Sequence, residues 1–133
     1  WAGVLSESLY REFCMPYLNR IAQEINEVPS IVFAKGAHFA MEDLMKSEFN
    51  AVGLDWTMKP EDMRQLDSEK VLQGNLDPCL LYANDDEIVN KTNEMLNSFS
   101  GGAHIANLGH GVYPDTEWQK VKLFIDTIKN SSN

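Results

Sequence analysis

Apolar residues recur along this chain at two alternating kinds of spacing. From Ser6 to Glu24 they fall at every fourth position (Leu9, Phe13, Tyr17, Ile21), which predicts one helix with a single buried stripe. Pro29 closes the turn that follows. Ser30-Ile31-Val32-Phe33-Ala34 is then a short apolar, β-branched run. Without polar alternation, such a run predicts a strand covered on both faces. The contrast then repeats: a helical stretch over Phe39 to Ser47, a second buried strand over Asn50 to Asp55, and a short helix from Pro60 to Leu66. Val71-Leu72-Gln73-Gly74 reads as a third strand. Asn84 and Glu87 stand at capping-box spacing ahead of a helix whose inner face is Ile88, Thr92, Met95, Leu96 and Phe99. Gly101-Gly102 ends it, His104 to Asn107 forms a fourth strand, and Glu117 to Lys129 is a last helix with Trp118, Val121, Phe124, Ile125 and Ile128 on its apolar stripe.

The order is therefore a helix followed by four strand–helix units. Strict alternation implies a parallel sheet with helices packed on it. Two architectures satisfy it: a small open doubly wound sheet, or half of an eight-stranded barrel. There is no internal repeat, low-complexity tract or linker, so a single domain over residues 1–133 is expected.

Composition narrows the function. The chain has 133 residues and a net charge of −9. That balance argues against nucleic acid and against an anionic membrane surface. No apolar run is long enough to span a bilayer, and no secretory signal is visible, so a cytoplasmic location is expected. The abrupt start at Trp1-Ala2-Gly3 reads as the middle of a longer polypeptide. Cys14 and Cys79 have no CxxC spacing and are expected to be buried and reduced. Asn90-Lys91-Thr92 and Asn130-Ser131-Ser132 match the glycosylation sequon and are read as chance matches. Met41, Met45, Met58, Met63 and Met95 read as core filler.

In parallel α/β proteins the chemistry gathers past the carboxyl ends of the strands. Four polar elements stand there: Lys35-Gly36-Ala37-His38, Asp55-Trp56-Thr57, Gly74-Asn75-Leu76-Asp77-Pro78 and Gly109-His110-Gly111. His110 is the sharpest candidate, because glycines on both sides allow a tight turn and close approach of a ligand, and imidazole can bind a carboxylate or exchange a proton near neutral pH. His38 reads first as a cap of the helix that starts there, and His104 as structural. Asp55 is either a general base or a loop anchor. Asn75 to Pro78 reads as a rigid turn whose side chains hold backbone amides, and for Asp77 that outweighs catalysis. Lys35 either attracts an anion or is solvated. No phosphate-binding glycine loop, nucleophile elbow or zinc spacing is present.

Gly53-Leu54-Asp55-Trp56-Thr57, Leu72 to Pro78, and Asn107-Leu108-Gly109-His110-Gly111-Val112-Tyr113-Pro114-Asp115 closely resemble the uroporphyrinogen decarboxylase family, as do Trp1-Ala2-Gly3 and Phe33-Ala34-Lys35, in the same order. The resemblance covers essentially the whole chain. It implies a (β/α)8 TIM-type barrel, which needs about 250 residues or more, with this chain as its C-terminal half. It further implies decarboxylation of the four acetate side chains of a tetrapyrrole, uroporphyrinogen, with no metal or organic cofactor, in a cytoplasmic homodimer. The family's substrate-contacting histidine corresponds to His110. Its arginines, central aspartate and tyrosine lie upstream of this sequence, and its serine falls just before Ala2. The segment alone is expected to be inactive until the missing N-terminal half of the barrel completes it. Two other readings stand beside this one. A related corrinoid or thiol methyltransferase would need a His-x-Cys where this chain has His38-Phe39-Ala40. A catalytically dead half-barrel interaction module would pair its strand edges with a partner or another copy.

Overall fold

The computed structural model describes residues 2–25, 27–67 and 69–131; Trp1 of the opening motif and Ser132 of the second sequon lie outside them. Two helices come first, α1 (Glu7–Phe13) and α2 (Met15–Glu24), then strand β1 (Ile31–Phe33). A 3₁₀ turn at His38–Ala40 leads into α3 (Met41–Met45) and β2 (Ala51–Gly53). Helix α4 (Pro60–Leu66) connects to β3 (Val71–Leu76), and a 3₁₀ turn at Pro78–Tyr82 opens α5 (Asp85–Ser98). The chain continues through β4 (His104–Leu108) to α6 (Trp118–Ser131).

The strands form one parallel sheet in the order β1-β2-β3-β4. That order separates the two architectures the alternation allows. A doubly wound sheet reverses its strand order at a switch point. Here each crossover steps to the next neighbour in the same sense, and right-handed crossovers then carry every helix to one face. Such layering is that of a barrel segment. Burial agrees with it. The register sets Val32, Val52, Leu72 and His104 side by side, and the first three are buried against the helices. The opposite face carries Ile31, Ala51 and Val71 in one row and Phe33, Gly53, Gln73 and Ile105 in the next. On the edge strands this second face is open: Ile31 and Phe33 are each 46% exposed and Ile105 is 40% exposed.

Leu44, Met45, Leu54, Leu81, Ile88 and Phe99 fill the core, and Met41, Met58 and Met95 are buried with them. Helix α5 follows its sequence pattern, with the Asn84 side chain accepting the Glu87 N–H at 2.9 Å and Ile88, Thr92, Met95 and Phe99 buried. His104 stacks flat on Phe99 (centroids 3.7 Å apart, planes at 4°), and its Nε2 lies 2.7 Å from the Gly74 carbonyl oxygen.

Six expectations are corrected. The helix expected over Ser6 to Glu24 is two, because Pro16 occupies the first turn of α2 and the chain bends at Cys14. Its buried residues are Tyr10, Met15 and Ala22, whereas Leu9, Phe13, Tyr17 and Ile21 are exposed. β1 is covered on one face rather than both, since helices lie on only one side of the sheet. β3 runs two residues further than expected, so Asn75 and Leu76 are strand residues. The two cysteines are free thiols, but Cys14 is half-buried and Cys79 exposed. In α6, Trp118 and Ile125 are exposed while Phe124 is buried.

The misplaced stripe has a physical cause. An apolar groove of about 650 Å³ runs along the open edge of β1, walled by Phe13, Tyr17, Leu18, Val32 and Phe33. A second, of about 420 Å³, runs along the β4 edge beside Val121, Phe124, Ile125 and Ile128. Both lie where the next strand of a barrel would pack.

Candidate active site at the strand ends

The loops at the carboxyl ends of β1 and β2 and the end of β3 are fastened to one another around Asp55. This residue is 2% exposed. Its Oδ2 accepts the Gly36 N–H at 2.9 Å, and its Oδ1 accepts the Thr57 N–H at 2.9 Å and the Thr57 hydroxyl at 2.5 Å. Burial by itself would raise the carboxyl pKa. The bonds from the Thr57 hydroxyl, the Gly36 N–H and the Thr57 N–H, helped by the charge of His38, outweigh it and hold Asp55 below the ordinary carboxylate range. Both oxygens are thus committed to backbone and hydroxyl donors, which is the geometry of a loop anchor.

The same network places His38. Its Nε2 lies 3.0 Å from Thr57 Oγ1. The single hydroxyl proton of Thr57 goes to the carboxylate, so His38 Nε2 donates to Thr57. The helix cap expected of His38 is not made, and neither the 3₁₀ turn nor α3 has a side-chain cap bond. The imidazole reaches across to the β2 loop instead. Asn75 holds that loop from the far side, its Nδ2 donating to the carbonyls of Asp55 (2.9 Å) and Met58 (2.8 Å). It binds carbonyls where amides were expected. Gly74 beside it has φ +136°, and a Cβ there would stand 2.7 Å from the Leu54 carbonyl oxygen, so the approach of β3 to β2 requires glycine. Asp77 Oδ1 accepts the Cys79 N–H at 2.8 Å and caps the Pro78–Tyr82 turn, as its sequence context predicts.

His110 stands exposed at the mouth of the open face, between Phe33 and Trp56. Its ring centroid is 6.3 Å from Phe33 and 6.2 Å from Trp56, the latter nearly perpendicular at 82°. Gly109 sets this position by close approach. Its N–H donates to the Leu76 carbonyl at 2.7 Å, and a Cβ there would fall 2.4 Å from the Trp56 nitrogen. Gly111 has open space around it. Lys35 arrives from the β1 loop with Nζ 4.6 Å from the centroid of the Trp56 ring. Three loops thus bring one ammonium, one imidazole and one indole to the same end of the sheet.

The arginines are elsewhere. Arg11 pairs with Glu7 and Asp43, Arg20 with Glu24, and Arg64 donates to the carbonyls of Lys70 and Ala103, at the amino ends of β3 and β4. Among the described residues, no group of three His, Cys, Asp or Glu side chains is arranged to hold a metal ion. On the outer rim the Tyr82 hydroxyl donates to Asp115 at 2.6 Å, and Tyr113 meets Cys79 at 4.0 Å. Sequence reasoning placed Trp56 and Thr57 in a strand-end element but gave neither a role. The Asp-x-Thr spacing of an Asx turn signals Thr57. No local signal marks Trp56, whose role depends on loops far away in the chain.

A family model described as uroporphyrinogen decarboxylase (URO-D) matches residues 1–131. The uroporphyrinogen decarboxylase of Ovis aries is 42% identical over 141 residues, covering 98% of this chain and 38% of that protein. That of Salinibacter ruber is 40% identical, covering 99% and 39%, and that of Dictyostelium discoideum 46% identical, covering 86% and 33%. The chain therefore spans under two-fifths of the length of these relatives. Among solved structures, a methyltransferase from Methanosarcina mazei superposes with a TM-score of 0.80 over 97% of this chain and 39% of that one. At 18% identity that likeness speaks for the fold alone.

Proposed function

The chain belongs to the uroporphyrinogen decarboxylase family, and from that premise we propose that it is the C-terminal portion of an enzyme converting uroporphyrinogen to coproporphyrinogen. The observation that carries this reading is the meeting of His110, Lys35 and Trp56 at the carboxyl end of a barrel-type sheet, within the motifs the family shares. In this role His110 holds a carboxylate of the substrate or positions a proton donor, and Lys35 adds positive charge beside it. Asp55, His38, Asn75 and Asp77 keep the loops in place.

The reaction is acid–base chemistry in which the pyrrole ring is the electron sink. A ring carbon is protonated, giving a cation. The bond to the acetate carboxyl group breaks, CO2 leaves, and its electron pair neutralises the ring. The exocyclic carbon is then protonated and the ring carbon gives back the proton it took up, which restores the pyrrole and leaves a methyl group. Each of the four acetates is treated in turn, with no metal or organic cofactor. The group that stabilises the cation and the arginines that match so many carboxylates come from the rest of the barrel, whose strands pack into the two edge grooves. The completed enzyme is a cytoplasmic homodimer. Among the described residues, no helix is long and apolar enough to cross a membrane.

The test is the complete polypeptide carrying these residues, assayed for coproporphyrinogen formed from uroporphyrinogen. Product formation that falls at least tenfold in His110→Asn is expected, the cost of about one charge-assisted contact. A complete enzyme that yields no product, or a variant with unchanged turnover and affinity, refutes the assignment.

A further inference from the structure

Asn75 and Asn107 are register partners near the carboxyl ends of β3 and β4, yet their carboxamides are used differently. Asn75 spends its NH2 on two carbonyls of the β2 loop. In Asn107 it is the oxygen that is engaged: Oδ1 accepts the Leu108 N–H at 2.8 Å. A backbone N–H can only donate, so the atom facing it must be the oxygen, and this one bond fixes which way the carboxamide points. Its NH2 therefore points away from the backbone. It carries two donors and, among the described residues, meets no acceptor. Asn107 is exposed, and it lines a cavity of about 270 Å³ together with Phe33, Leu54, Gln73, Leu108 and His110. No carboxylate lines that cavity, although the chain has a net charge of −9. Donors opening into a partly apolar cavity, with no acid there to repel an anion, suit a carboxylate. A hydrogen bond to a charged acceptor is stronger than one to a neutral acceptor, and more so where water is partly excluded.

We propose that Asn107 is a further substrate-binding residue, its Nδ2 donating to a carboxylate of the ligand within the cavity that His110 also borders. At about 270 Å³ this cavity is smaller than the roughly 300–1,000 Å³ of pockets that enclose a whole small molecule, so it receives one carboxylate-bearing arm of a larger ligand. The identity of that ligand as uroporphyrinogen rests on the decarboxylase reading. The direction of the amide rests on the Leu108 bond alone.

The experiment makes two measurements on the complete barrel. The first is the kinetics of Asn107→Asp, which keeps an oxygen for the Leu108 N–H and puts a charged acceptor where the NH2 stood. The expected result is a KM for uroporphyrinogen raised roughly tenfold or more, with kcat changed less than about twofold and the melting temperature unchanged, the signature of a lost binding contact. An unchanged KM overturns the proposal. So does a fall in kcat as large as the rise in KM together with a lower melting temperature, because Asn107 would then be a structural support. The second measurement needs no variant. NMR follows the side-chain N–H pair of Asn107, in protein made with isotope-labelled asparagine, as pyrrole-acetic acid is added and, separately, its neutral analogue pyrrole-acetamide. The carboxylate is expected to shift the pair and the neutral amide to leave it in place. No shift with either overturns the proposal, since the NH2 would then be held by a residue of the N-terminal half, and equal shifts with both overturn the choice of a carboxylate. A complete barrel that shows the carboxylate shift but forms no coproporphyrinogen sinks the decarboxylase reading and upholds the subsite.

Discussion

Replacing Asp55 by Asn exchanges one acceptor oxygen for an amide group while leaving the shape of the side chain unchanged. The three bonds received by the carboxylate divide unequally, two on Oδ1 from Thr57 and one on Oδ2 from Gly36. The carboxamide therefore turns its oxygen to Thr57 and its NH2 to the Gly36 N–H, so a buried donor faces a donor. A hydrogen bond to a charged group contributes about 1.5–3 kcal/mol, and a buried donor left without a partner costs about 1–3 kcal/mol. Since these overlap, a net loss of about 2–4 kcal/mol is expected, concentrated in the β1 loop. The pH dependence follows from the depressed pKa. The contribution is fully present above the unfolded carboxyl value, near 3.9, and is lost as pH falls through the lower folded value. Asp55→Asn should thus be less stable than the natural protein at pH 7, and the gap should narrow as pH falls below that value. Hydrogen exchange at the Gly36 amide in the complete barrel is the direct assay, with urea denaturation at pH 7 and in acid beside it. Unchanged Gly36 protection together with a stability loss under about 0.5 kcal/mol would refute the anchoring argument.

Gly109→Ala places a methyl group against the Trp56 backbone nitrogen, so the His110 loop must shift; turnover of the complete enzyme should drop at least tenfold for a displacement of about 1 Å, and near-normal kinetics would show that the close approach is dispensable. His104 has a pKa lowered by burial, so its contribution is present above the unfolded value near 6.5 and is lost as pH falls through the folded one; denaturation at pH 7 and pH 5 should show a stability loss in acid that His104→Gln reduces. The 133-residue chain alone leaves Ile31, Phe33 and Ile105 on an open face, each forfeiting part of the about 1.5–3 kcal/mol that full burial of such a side chain contributes. Size-exclusion chromatography with thermal melting should find it oligomeric or loosely folded, and a sharply melting monomer would contradict that expectation.

The elements were legible in the sequence because their signals are local. Asn84 capping α5, the inner face from Ile88 to Phe99 and the helix from Pro60 to Leu66 each follow from residues within a few positions of one another. What was misread depends on partners outside the local window. The Leu9 to Ile21 stripe has ideal helical spacing, yet its middle residues Phe13 and Tyr17 wall the groove beside β1, so periodicity found the helix and mistook its environment. Pro16 marks the break at Cys14, and a reading from apolar spacing alone passed over it. The strand-end positions were likewise found, but their tasks were not: whether Asp55 anchors a loop depends on Gly36, nineteen residues away, and the placing of His38 depends on Thr57.

The sequential strand order also bears on how the chain reaches its fold. Ile31 pairs with Ala51 and Ala51 with Val71, each twenty residues on, while Leu72 waits thirty-two residues for His104. Each pairing closes a loop of modest length, and closure entropy grows only slowly with that length. The sheet can therefore grow one strand at a time as the polypeptide leaves the ribosome, each new βα unit finding its template already in place. Joining the β4 edge to the other end of a barrel is a different event, spanning the whole sheet, and that distant contact is where slow folding and mispairing should concentrate.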